Sequence, residues 1–219
     1  MRGARAIDQK IQLLTGNHIV IAIDIRSSSK MLEYFKDHRK PVDPYIALIM
    51  AMKHKIDEFP GCIAYKFTGD GWIVLFKKQK TNGSAMLQFM EALSKWYATH
   101  SSNLVKQMDL PRHGLTFGVD DGWIWEVPPG FFEQTEYIGE PIVLASRLQA
   151  AAAAAVGESA DSDYAAFISV PCFNGYFKGI ASDAVRAAVR LGKREDDDPC
   201  MILPLASSAG SAQVPNPTA

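Results

Sequence analysis

Tyr65–Phe76, YKFTGDGWIVLF, sets two apolar, β-favouring runs on either side of Thr68-Gly69-Asp70-Gly71. Asp-Gly between such runs signals a hairpin, because glycine accepts the positive φ that a tight turn demands. A carboxylate is therefore expected at a hairpin tip. Upstream, HIVIAIDI (His18–Ile25) places Asp24 near the end of a strand so apolar that it should be buried on both faces, directly ahead of Arg26-Ser27-Ser28-Ser29. Two carboxylates at strand ends make a candidate metal site. Taken singly, Asp70 reads equally well as a turn residue and Asp24 as a helix cap.

The rest of the chain bounds what such a site can belong to. With 219 residues, 47% of them hydrophobic and 21% charged, the composition is that of an ordinary globular protein with one well-buried core. A net charge of -1 argues against gripping a nucleic-acid backbone by bulk electrostatics. Cys62, Cys172 and Cys200 are odd in number and lack metal-ligand spacing, so they read as reduced thiols. No run approaches the ~18 apolar residues of a membrane span, and the N-terminus lacks the apolar core of a signal peptide. The expectation is a soluble cytoplasmic protein. Residues 1–206 are expected to form one domain, and the small residues and prolines after Ser207 suit a disordered tail, 207–219.

Taken in order, Ile7–Leu14 has apolar spacing that predicts a short amphipathic helix, followed by the His18–Ile25 strand. Ser27, Ser28 and Ser29 then offer helix caps, and the free N–H groups of that first turn form a natural phosphate cradle. A second helix runs from Tyr45 to Phe59 and stops at Pro60-Gly61, before the hairpin. Helical spacing returns over Ser84–Lys106. HGLTFGVDDGWIWEV predicts a second hairpin turning at Asp121-Gly122, and PIVLASRLQAAAAAAV from Glu140 or Pro141 predicts a helix. Ala165–Val170 reads as a strand, Asp183–Leu191 as a short helix and Met201–Leu205 as a final strand. This order predicts an α+β fold, helices packed on a largely antiparallel sheet, with a ferredoxin-like core of split βαβ units as its simplest form.

Four pieces in order, IAIDI, YKFTGDGW, HGLTFGVDDGWIW and YIGEPIVLASRL, together resemble the catalytic domain of class III nucleotidyl cyclases over roughly Ile19–Val170. The resemblance implies conversion of a nucleoside triphosphate to a 3′,5′-cyclic monophosphate and pyrophosphate by a head-to-tail homodimer with active sites at the subunit interface. Asp24 and Asp70 match the family's metal-binding aspartates, and the Ile25 carbonyl matches a main-chain ligand. Two Mg²⁺ or Mn²⁺ ions on shared aspartates would activate the ribose 3′-oxygen and neutralise the triphosphate.

The remaining family roles fall on single positions. Lys66 matches the base-reading lysine, and Glu136 falls where adenylate cyclases commonly carry a base-reading aspartate. A lysine only donates hydrogen bonds and a carboxylate only accepts them; adenine, cytosine and uracil all offer a complementary edge, so the pair argues against guanine more than for adenine. Arg147 matches the arginine that neutralises the phosphate in the transition state. Its four-residue offset from Val143 puts both on one helix face. Here the chain departs from the family, which usually has a ribose-orienting Asn where this sequence has Val143. The triphosphate-binding lysine is matched by Lys193, with Arg194 and Lys178 as rivals, alongside the Ser27–Ser29 cradle. Trp72, Trp123 and Trp125 read first as core or dimer packing and second as base contacts.

The chain is expected to hold little beyond the catalytic core. In this, and in the Val for Asn exchange and the Asp-Ile-Arg-Ser-Ser-Ser stretch, it looks like the bacterial pyrimidine cyclases of Pycsar anti-phage systems. That resemblance implies cyclic UMP or cyclic CMP as product, UTP ahead of CTP as substrate, and a separate effector protein activated by the product. A soluble adenylate cyclase is the alternative, and a catalytically inactive nucleotide-binding or dimerisation module is the alternative of another class. A diguanylate cyclase is disfavoured, because TGDG stands where its GG-D/E-E-F hairpin would be.

Overall fold

The computed structural model describes residues 14–110, 113–129, 132–155, 164–191 and 198–205. In chain order the elements are β1 (Leu14–Ile25), α1 (Ser28–Asp37), α2 (Asp43–Asp57), β2 (Cys62–Phe67), β3 (Gly71–Lys77), α3 (Gly83–Met108), β4 (Leu115–Val127), β5 (Glu136–Ile138), α4 (Glu140–Ala155), β6 (Ala165–Ser169), α5 (Val170–Tyr176), β7 (Val185–Val189) and β8 (Asp198–Pro204). The strands form one sheet in the order β2-β3-β1-β4-β6-β8-β7, with β5 attached to β4 off that path. Every pairing is antiparallel except β4 with β6. The expected α+β architecture on a largely antiparallel sheet is what the chain adopts.

β1 lies at the centre because both of its faces are apolar. Ile19, Ile21, Ile23 and Ile25 point into a core shared with α1, α2 and α3. Val20 and Ala22 point the other way, to Ile73, Leu75, Ile124 and Ala145. Period-two alternation thus feeds two cores from one strand. α4 closes the second face, and it lies directly on β4: a Cβ added at Gly118 would stand 1.9 Å from the Ala145 carbonyl oxygen. Only glycine permits that backbone-to-backbone approach.

Four expectations need correction or extension. The segment around Asp121-Gly122 does not turn; β4 runs straight through it, pairing with all of β1 from Leu14 to Ile25. Gly122 is there for another reason, since a Cβ on it would come within 2.9 Å of the Pro141 ring. Asp183–Leu191 is not a helix but contains the edge strand β7, paired to β8; its alanines favour helix locally, and ladder pairing overrides that weak preference. Val170 ends no strand but begins α5, which Ser169 caps by accepting from the Cys172 N–H. Finally, β1 starts at Leu14, so the predicted N-terminal helix loses its last residue, while Ile7–Leu13 lie outside the described residues, as does the 207–219 tail.

Candidate active site

Asp24 and Asp70 are brought together by the register of β1 and β3, which sets Asp24 opposite Gly71. The approach is so close that a Cβ on Gly71 would lie 1.9 Å from the Ile23 carbonyl oxygen. Gly69 takes φ +105°, and the Thr68 N–H donates to the Gly71 carbonyl at 3.0 Å, closing the turn. Both glycines of Thr68-Gly69-Asp70-Gly71 are therefore required, one for the turn and one for the approach. The hairpin read from the sequence forms as expected, with Asp70 at its tip.

Two further elements flank the pair. Ser28 Oγ, at the start of α1, donates to Asp70 Oδ2 at 2.6 Å. Gln149 of α4 donates through Nε2, at 2.9 Å, to Oγ1 of Thr116, the residue opposite Asp24 on β4, and lines the same cleft as both aspartates. Burial, followed by the charge of Asp70 and a hydrogen bond to it, pushes the Asp24 carboxyl up to about 7, against the opposing pull of the Ile25 backbone and Gln149. Two acids this close share a proton when no cation lies between them. Burial first, and then the same two carboxylates, pushes the buried Tyr45 phenol up to about 12. A cleft of about 260 Å³ opens beside the pair, lined by Asp24, Thr68, Asp70, Trp72, Ser146 and Gln149 among others.

A divalent cation fits this donor set. Hard oxygen ligands suit Mg²⁺ and Mn²⁺, and a close carboxylate pair whose ionisation is opposed by its own repulsion is what a 2+ charge would relieve. Among the described residues, no group of three or more His, Cys, Asp and Glu side chains converges. Asp24 and Asp70 are the side chains of this cleft that would face it.

The other predicted residues lie elsewhere. Arg147 and Val143 are exposed on α4 and line a separate cleft of about 430 Å³ with Glu140, Leu144, Ser169 and Asp198. At its edge Ser169 donates to the buried Asp120, whose carboxyl burial pushes up to about 6. The helix therefore turns Ser146 and Gln149 to the aspartates and Val143 and Arg147 to the second cleft. Lys66 is exposed on β2. Glu136 comes to its chain neighbour, accepting a hydrogen bond from the Tyr65 hydroxyl. Ser27 takes a left-handed conformation (φ 61°), and no side chain caps α1. Ser29 is exposed and Ser28 buried, its hydroxyl committed to Asp70. Lys193 and Arg194 lie outside the described residues; Lys178 is exposed just past α5. Trp72 is buried against the Phe67 ring, whereas Trp123 and Trp125 are 59% and 44% exposed.

Sequence reasoning missed Ser28 as an Asp70 partner, and Gln149, Tyr45 and Tyr65 altogether. Nothing in their spacing marks them; only the folded sheet brings them to the carboxylates. The cysteines are free, as expected. Among the described residues no helix is long and apolar enough to cross a membrane.

No family model and no curated protein matches the sequence. Solved structures do match in shape. The adenylyl cyclase CyaB from P. aeruginosa superposes with a TM-score of 0.62 at 17% identity, over 91% of this chain and 98% of that one. The guanylyl cyclase Cya2 gives 0.60 at 16% identity, over 89% and 93% of the two chains. A bacterial light-regulated adenylyl cyclase gives 0.66 at 15% identity, over 88% of this chain and 52% of that protein. At such identities the likeness speaks for the fold: the chain has the class III nucleotidyl cyclase fold.

Proposed function

We propose that the protein is a nucleotidyl cyclase that converts a pyrimidine nucleoside triphosphate, UTP ahead of CTP, to its 3′,5′-cyclic monophosphate and pyrophosphate. The observation behind the cyclase part of this reading is the half-buried Asp24–Asp70 pair, built by the close approach at Gly71 and held by Ser28, with Gln149 lining the same cleft. A structural role alone does not account for two acids placed where each opposes the other's ionisation. In the reaction, the ribose 3′-oxygen forms a bond to the α-phosphorus, the bond from that phosphorus to the bridging oxygen of pyrophosphate breaks, and the 3′-hydroxyl proton leaves to solvent. Two divalent ions, Mn²⁺ or Mg²⁺, when bound, supply Lewis-acid activation and charge neutralisation. Asp24, Asp70 and the Ile25 carbonyl would hold them.

Arg147 then has the role of balancing charge on the α-phosphate as it becomes five-coordinate. Because it lines a different cleft from the aspartates of its own chain, the reading requires a head-to-tail homodimer in which Arg147 of one copy faces Asp24 and Asp70 of the other. Lys66 and Glu136 read the base, and Lys193 with the Ser27–Ser29 turn holds the triphosphate. The product acts in the cytoplasm as a second messenger of anti-phage defence, on a separate effector protein. Adenylate cyclase is the second reading, because adenine too complements the donor and acceptor that Lys66 and Glu136 present. An inactive nucleotide-binding module is the third, favoured by Val143, which cannot hydrogen-bond a ribose.

The deciding experiment incubates the protein with Mn²⁺ and each of the four triphosphates separately, with products identified by mass spectrometry. Cyclic UMP or cyclic CMP is expected. Cyclic AMP alone would replace the pyrimidine assignment, and no product from any triphosphate would favour the binding module.

A further inference from the structure

Tyr65 stands out of register. β2 and β3 pair regularly as far as Ala64 and again from Lys66, with Tyr65 as the extra residue between them. A bulge of this kind re-aims a side chain that a regular strand would place differently. The Tyr65 ring meets Tyr137 edge to face, with centroids 4.9 Å apart and planes at 82°. Its hydroxyl donates to Oε2 of Glu136 and lies 3.4 Å from the Tyr137 carbonyl oxygen. The bond spans 71 residues of sequence and ties β2, at one edge of the sheet, to β5, which pairs with β4 off the main strand order.

We propose that Tyr65 is a positioning residue for substrate selection: it holds the Glu136 carboxylate beside Lys66 with one oxygen engaged, leaving the other to accept from the base. The inference rests on the cyclase reading given above. Three observations support it. β5 is only three residues long and Glu136 is its first residue, so the strand does little to fix the side chain; a glutamate left free loses rotamer freedom when a ligand orders it. The phenol is a dependable donor, because burial, and then the bond to Glu136, raise its pKa to about 12. And a carboxylate that accepts from a fixed donor keeps its remaining lone pairs in a fixed direction, so the spacing between acceptor and the Lys66 ammonium becomes a property of the fold. A base edge must then offer one donor and one acceptor at matching separation, and near-fits are penalised by an unpaired polar group.

The test is steady-state kinetics with UTP, CTP and ATP on the full chain, using Tyr65→Phe, Glu136→Gln and the double variant. Phenylalanine keeps the ring contact with Tyr137 and removes only the hydroxyl. Tyr65→Phe is expected to lower kcat/KM for the preferred triphosphate by about 10-fold, mostly through KM, and to reduce the ratio between the best and next-best substrates by roughly 5-fold. In the Glu136→Gln background the same change should add almost nothing. Glu136→Asp keeps the charge but shortens the reach to Tyr65, and should reproduce the loss of selectivity should Tyr65→Phe fold poorly. An active wild-type protein whose Tyr65→Phe variant keeps the same substrate ratio and KM overturns the inference alone. A wild-type protein that turns over no triphosphate overturns the cyclase reading and this inference with it.

Discussion

The Ser28 hydroxyl donates to Asp70 Oδ2 at 2.6 Å across 42 residues of chain, linking the first turn of α1 to the tip of the β2–β3 hairpin. A hydrogen bond to a charged group contributes about 1.5 to 3 kcal/mol. Ser28 is 5% exposed, so its alanine variant would fill the same space without the bond. Ser28→Ala is expected to weaken Mn²⁺ binding by about 10-fold while leaving the thermal midpoint within a few degrees. Isothermal titration with Mn²⁺ checks it; an unchanged affinity would detach Ser28 from the site.

Gly71→Ala should be costly. The added Cβ would overlap the Ile23 carbonyl oxygen at 1.9 Å, a backbone atom in a central strand with no freedom to move aside. A loss of about 2 kcal/mol or more is expected in urea unfolding, together with loss of activity. Wild-type stability in this variant would show that β3 can leave β1 at no cost.

The raised Asp24 pKa gives stability a definite pH dependence. Its folded value, about 7, lies above the ordinary 3.8, so the folded state holds a proton that the unfolded chain has released. That contribution is full below about pH 4 and is lost as pH climbs through 7. Metal-free protein should therefore lose thermal stability between pH 5 and 8 at this site, and Asp24→Asn should lose less. Mn²⁺ must displace the shared proton, so the Mn²⁺-induced rise in Tm should be larger at pH 8 than at pH 6. Equal rises at both would mean that the pair is not where the ion binds.

Separation of the aspartates from Arg147 within one chain leads to a complementation test. Asp70→Ala and Arg147→Ala should each abolish activity, and their mixture should recover up to about a quarter of it, because one of the two sites in a mixed dimer is intact. No recovery, with subunit exchange demonstrated, would place both residues in one chain's site.

The aspartates were legible because the chemistry that places them is local: Thr68-Gly69-Asp70-Gly71 carries its own turn, and a run of isoleucine and valine carries its own burial. The same local signal misled at Asp121-Gly122. What distinguishes the two Asp-Gly pairs is what lies opposite, a turn closed by Thr68 and Gly71 in one case, and in the other an unbroken ladder with β1 and a salt bridge from Lys78 to Asp121 at 3.2 Å. β7 was misread for a like reason, since edge pairing to β8 is not written in Val185–Val189. Ser28, Gln149 and Tyr65 hydrogen-bond partners 42, 33 and 71 residues away, and no periodicity encodes that.

The backbone contact of α4 on β4 at Gly118 has a consequence for how the protein would behave at low concentration. With Ala145 resting on the strand, the helix has no layer of side chains on which to roll, so it cannot swing Arg147 round to the aspartates of its own chain. On the cyclase reading, a lone copy then has no internal route to a complete site. Specific activity would therefore fall on dilution and rise on crowding, making the amount of protein in the cell a control on the signal it emits.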